Sequence, residues 1–105
     1  MEQSLKYRSM ESTFLLYEKK FKALADQKRL EILHLICQNE SICVCDLSEM
    51  MKMPQSKLSY HLKILLDADL ILKETKGTWS YYSFHTNELN HLLPKELSSL
   101  FRPSC

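Results

Sequence analysis

Apolar positions along the chain fall first into helical stripes and later into an alternating, aromatic-rich stretch. From about Ser12, the spacing of Leu16, Phe21 and Leu24, with Phe14, Leu15 and Tyr17 crowded beside them, predicts a helix. Phe14, Tyr17 and Phe21 have two readings, as core or as a dimer face, because these aromatics exceed what one small core needs. Asp26 is placed to cap a second helix with Leu30, Leu33 and Cys37 on one stripe, and Asn39 lies beyond its end. Val44, Leu47 and Met51 predict a third helix. It stops before Pro54, which disfavours helix at Met53 and suits the first turn of a new one. That fourth helix begins near Gln55 and buries Leu58, Leu62, Leu65 and Leu66. Its opposite side carries Ser56, Lys57, Tyr60 and Lys63, with Gln55 and Ser59 near the leading end.

Leu70-Ile71-Leu72 then starts a strand. Thr75 to Thr78 is a turn in which Gly77 takes positive φ, and Trp79 to Phe84 is β-prone, so residues 71–84 read as a hairpin. Trp79, Tyr81 and Tyr82 are expected to pack within it. After Asn87, the spacing of Leu89, Leu92, Leu93, Leu97, Leu100 and Phe101 predicts a final helical region that Pro94 kinks or splits. Without repeats or linkers, the 105 residues read as one domain, with residues 1–12 and 102–105 expected to be mobile. The fold class is mainly α with a β-hairpin wing (α+β).

Helix, short turn, helix and hairpin is the order of a winged helix-turn-helix, which places its second helix in the major groove of DNA. In that frame Lys57 and Lys63 meet phosphates, while Gln55, Ser56, Ser59 and Tyr60 exchange hydrogen bonds with base edges. Lys73 and Lys76 on the hairpin reach flanking phosphates. His61 serves the same helix by packing or by phosphate contact. The plain alternative is a solvated, lysine-bearing face.

Charge adds nothing to the case for DNA. Fourteen basic and 13 acidic side chains leave a formal net charge of +1, so placement of the lysines matters and their number does not. The single glycine, Gly77, excludes the glycine-rich loops that bind nucleotide phosphates, and no organic cofactor is expected. The N-terminus carries no apolar signal core, and no apolar run reaches membrane-spanning length, so a cytoplasmic location is expected. There Cys37, Cys43, Cys45 and Cys105 remain thiols.

Cys43-Val44-Cys45 is the most chemically suggestive triplet. Two thiols one residue apart grip one ion if the backbone is extended. On a regular helix they point about 200° apart at 3.6 residues per turn, so joint binding calls for a distorted start to the third helix. Thiolates are soft and select sulfur-seeking ions over Mg²⁺ or Ca²⁺. Buried, inert cysteine is the competing reading. Cys37 follows the core stripe, Cys105 sits at the chain end, and the four histidines show no mutual ligand spacing.

Three segments in order resemble the ArsR/SmtB family of winged-helix metalloregulators: Phe21 to Asp26 with Lys28 to Leu33, Cys43 to Leu47, and Gln55 to Lys63. The similarity spans about residues 14–93 and is nearest the arsenic-responsive repressors. It implies a homodimer built through the first and last helices, which adds Leu89, Leu92, Leu93 and Leu97 to the dimer face. It also implies binding to double-stranded operator DNA and release when As(III) or Sb(III) binds the cysteines. Cys43 and Cys45 match two ligands of the family's arsenic site. Ser48 stands where the best-known motif has a third cysteine, so either two thiolates suffice or Cys37 or Cys105 completes the site; the site is centred on Cys43 and Cys45, with Cys105 a weaker candidate. Cadmium/lead-responsive or thiol-redox repressors of the same fold are alternatives, as is a metallochaperone or thiol oxidoreductase without a DNA role. No set of side chains assembles into an enzyme site.

Overall fold

The computed structural model describes residues 2–85, and side chains from residue 10 onward. Its first helix, α1, spans Glu2–Leu24 and starts ten residues before the point at which apolar spacing announces it. Hydrophobic spacing reports burial, whereas residues 2–12 contain neither proline nor glycine to interrupt a helix. Helix α2 spans Gln27–Gln38, with Asp26 as its cap in extended backbone (φ −156°, ψ 126°). The Asp26 carboxylate accepts the Arg29 N–H at 3.1 Å, satisfying one of the donors a helix start leaves open.

A short strand that the sequence pattern did not reveal follows. Ser41–Cys43 forms β1, too brief for alternation to show, and its only buried residue is Ile42. Helix α3 spans Val44–Met51 and helix α4 spans Gln55–Asp67. The turn between them is clasped at several points. Lys52 takes the left-handed conformation at φ 52°, the Met53 N–H donates to Ser48 O at 3.1 Å, and the Ser48 hydroxyl donates to Met53 O at 2.6 Å. Pro54, at φ −59° and ψ 147°, then opens α4, and its carbonyl accepts the Leu58 N–H at 3.0 Å.

Strands β2 (Ile71–Lys76) and β3 (Trp79–Phe84) form the hairpin. Lys76 pairs with Trp79 across a two-residue turn whose first member, Gly77, lies at φ 64°, a conformation that side chains resist. Strand order is β1-β3-β2, all antiparallel, with Cys43 opposite Tyr81 and Ile42 opposite Tyr82. The wing is therefore a three-stranded sheet, not an isolated hairpin, and its third strand ties it to the start of α3.

Ile32, Leu33 and Ile36 of α2, Leu47 of α3, Leu58, Leu62 and Leu65 of α4, and Ile71 of β2 form the centre of the core. Tyr82 packs against them, as expected of the wing aromatics, but Trp79 is 52% exposed beside the hairpin turn. Leu72 is also exposed: strand alternation turns it away from the core that its neighbour Ile71 enters. No helix among the described residues is long and apolar enough to cross a membrane. The expected final helix, with Leu89, Leu92, Leu93, Pro94 and Leu97, lies outside the described residues, as does Cys105.

Candidate nucleic-acid interface and thiol pair

Helix α4 separates its two faces cleanly. Leu58, His61, Leu62 and Leu65 turn inward, while Gln55, Ser56, Lys57, Ser59, Tyr60 and Lys63 are exposed together. The leading-end polar groups, two lysines and a phenol thus occupy one solvent-facing surface. Lys73 and Lys76 are exposed on the hairpin, and the Lys76 ammonium lies 5.4 Å from the centre of the Tyr81 ring.

His61 departs from the rest of that set. It is 6% exposed, so of the two roles expected for it, packing is the one its position allows. Its Nδ1 lies 3.2 Å from Arg29 Nη1, and its ring meets Tyr60 edge-on at 5.4 Å between centres. Burial pushes its pKa below the ordinary 6.5, reinforced by the Arg29 and Lys57 charges and opposed by Asp26.

Two anchoring cations escaped the sequence reading. Lys20 is 2% exposed, and its ammonium donates to Ala68 O at the end of α4 at 2.7 Å. Arg29 donates through Nε to Ala23 O at 2.7 Å and through Nη2 to Lys22 O at 3.2 Å, joining α1 to α2. A lysine inside a mostly polar helix gives no sign that it is buried. Arg29 sits three residues after its cap, which hinted at a local ion pair but not at a partner 32 residues away.

The thiol pair sits at the junction of sheet and helix. Cys43 caps α3 in extended backbone (φ −82°, ψ 157°), and Cys45 stands in the first helical turn. Because one of the two is not helical, the 200° divergence expected of a regular helix does not arise. The Cys43 thiol acts on the Cys45 thiol while α3 runs from Val44. The expected distortion of the helix is thus replaced by a strand-to-helix corner. The Cys43 side chain, followed by desolvation, pushes the Cys45 thiol up from its ordinary value.

Both thiols are partly exposed, and two soft sulfurs within bonding reach of each other suit a thiophilic ion. No group of three His, Cys, Asp or Glu side chains able to hold a metal exists among the described residues, so a three-sulfur site needs a ligand from outside them. Cys37 is 2% exposed in the core. Ser48 is committed to the turn through its bond to Met53 O. On α1, Phe14, Tyr17 and Phe21 are exposed, at 57%, 37% and 51%, so they do not belong to this chain's own core. Met10, Leu15 and Leu16 are exposed with them.

Residues 26–73, which hold the cap of α2, the thiol pair and all of α4, match the family model described as bacterial regulatory protein, arsR family. The chain is 66% identical over 86 residues to the arsenical resistance operon repressor of Bacillus subtilis, covering 82% of each chain. The fold is similar to that of NolR from Sinorhizobium fredii, with TM-score 0.72, 25% identity and coverage of 91% of this chain and 94% of that one. It is also similar to the homodimeric winged helix-turn-helix DNA-binding domain of Mb0332 from Mycobacterium bovis, with TM-score 0.70, 24% identity and coverage of 88% and 77%.

Proposed function

The chain belongs to the ArsR family of bacterial regulatory proteins, and on that premise we propose that it is an operator-binding homodimer released by trivalent arsenic or antimony. The observation that carries this reading is the position of the thiol pair. Cys43 and Cys45 meet at the head of α3, and α3 is joined through the Ser48–Met53 clasp to the helix with the exposed polar face. The arsenical resistance repressor of Bacillus subtilis supplies the class of inducer.

In this reading α4 enters the major groove. Gln55, Ser56, Ser59 and Tyr60 read bases, and Lys57, Lys63, Lys73 and Lys76 hold phosphates. Phe14, Tyr17 and Phe21 pack against a second copy, joined by Leu89, Leu92, Leu93 and Leu97. Cys43 and Cys45 bind the inducing ion, and Cys105 is the proposed third sulfur. Cys43 would hold the ion from the end of β1 and Cys45 from the first turn of α3. Release requires that the cross-linked arrangement favour a dimer state that fits the operator poorly, by a coupling of about 1–3 kcal/mol or more.

A redox reading is less well supported. Thiols that respond to oxidants carry depressed pKa values, whereas the Cys45 thiol is pushed up. The decisive experiment is a gel shift on DNA from upstream of the gene, with arsenite titrated against the wild type and the C43S/C45S variant. The variant is expected to bind DNA and ignore arsenite. Normal release from it would remove the proposal.

A further inference from the structure

Arg29 joins three helices through one side chain. Its side chain is 12% exposed, and its guanidinium donates to Lys22 O and Ala23 O at the end of α1 and lies 3.8 Å from Asp26 Oδ2 at the cap of α2. Its Nη1 lies 3.2 Å from His61 Nδ1 on α4. A guanidinium only donates, so Nδ1 must accept and the neutral ring carries its proton on Nε2. His61 in turn contacts Tyr60, which stands on the exposed face of the same helix.

We propose that Arg29 and His61 form a proton-sensitive joint that positions α4, so that neutral His61 holds the operator-binding orientation and protonated His61 releases it. The inference rests on reading α4 as the DNA-contacting helix. A proton on Nδ1 would point an N–H at the guanidinium N–H, ending the bond and setting two cations side by side. The charged groups facing the ring are Asp26 and Arg29 from α2 and Lys57 from α4 itself. From α1 the joint receives the carbonyls of Lys22 and Ala23, through Arg29. Asp26 favours the proton, whereas burial, Arg29 and Lys57 oppose it and prevail. Arg29 and His61 are positioning residues in this account, since neither is placed against DNA.

The sign of the effect separates this joint from ordinary acid behaviour. Histidines near phosphates gain protons on binding, so acidification commonly tightens DNA complexes. Here acidification weakens the complex. The full-length protein and a labelled upstream duplex are followed by fluorescence anisotropy at constant ionic strength. Between about pH 7.5 and about pH 5.5, operator affinity is expected to fall, by no more than about tenfold for a ring held below its ordinary 6.5.

In H61Q, an amide oxygen can accept from Arg29 without titrating. That variant should bind within about twofold of wild type at neutral pH and lose the acid response. The wild-type His61 ring, followed by NMR, supplies a readout independent of any variant's folding. By reciprocity, excess operator must lower its pKa. Failure to bind the duplex at any pH sinks the reading of α4. Salt-dependent binding with an acid-independent affinity and an unmoved or raised His61 pKa sinks the joint alone.

Discussion

Replacing Lys20 with methionine tests the hold of α1 on the helix assigned to DNA. Lys20 is 2% exposed, and its ammonium donates to the carbonyl of Ala68, the residue that closes α4. Carbonyls at a helix end lack intrahelical partners and carry the negative end of the helix dipole. A charge-assisted bond of this kind is worth about 1.5–3 kcal/mol, and the dipole adds about 0.3–1 kcal/mol. Methionine keeps most of the apolar stem in place, so little cavity forms. It also removes the cost of burying an ammonium, which offsets part of the loss. The net expectation for K20M is a destabilisation of about 1–3 kcal/mol. At about 4–8 °C per kcal/mol for a domain near this size, Tm should fall by roughly 4–24 °C. Thermal melts and urea titrations at one fixed protomer concentration measure this, because dimerisation would make Tm depend on concentration. A K20M protein as stable as wild type, with the same urea m-value, would refute the reasoning. The burial cost would then cancel the bond, and α1 would hold α4 by apolar packing alone.

Three further outcomes follow from named contacts. D26A removes the cap of α2 and should cost about 1 kcal/mol. The backbone N–H of Arg29, helped by its charge, holds the Asp26 carboxyl below its ordinary 3.8, so its contribution is complete above that value and disappears as pH falls through the lower folded value. Urea midpoints across acid pH should therefore decline less steeply in D26A, and parallel curves would contradict the assignment. Single alanine substitutions of Lys57, Lys63, Lys73 and Lys76 should each lower the slope of log affinity against log salt by about 0.9; an unchanged slope removes that lysine from the interface. S48A loses the bond to Met53 O and about 0.5–1.5 kcal/mol of stability, yet should release DNA at the wild-type arsenite concentration. Loss of the arsenite response in S48A would make Ser48 a ligand.

What the sequence disclosed was local. Asp26 as a cap, Pro54 as the start of α4, Gly77 in the turn and the inward Leu58, Leu62 and Leu65 of α4 each act through neighbours within four residues and are found where the pattern places them, while Leu66 is only partly buried. Contacts between distant segments were not legible. β1 is three residues long and exists because Ser41–Cys43 finds β3 some 40 residues later, a pairing that no alternation within it could announce. His61 lies among exposed polar residues and reads like one of them, yet Arg29, 32 positions earlier, draws its ring inward. Lys20 looks like solvated helix surface and is buried against the end of α4. In the last two cases a polar side chain is buried because a specific long-range partner satisfies it, and composition cannot supply the partner.

The strand that pattern missed also changes what the thiols can do. On a regular helix, gripping one ion with Cys43 and Cys45 would demand that the helix yield, and regulation would come from that distortion. With Cys43 extended at the end of β1, the grip needs no distortion, so the regulatory energy must lie elsewhere. In the proposed reading, an ion there would link Cys43, paired with Tyr81 of the wing, to the first turn of α3, and Ser48 and Met53 clasp the turn between α3 and α4. The bound ion would thus fix the angle between wing and helix-turn-helix, the two parts that must meet one stretch of duplex together. Lys20 and Arg29 hold α4 from the opposite side, against α1, which carries the exposed aromatics assigned to the partner copy. In the proposed reading, the orientation of α4 would be set jointly by the corner proposed to hold the ion and by the helix proposed to meet the second subunit. A ligand at that corner would then alter the spacing of two recognition helices without unfolding any element.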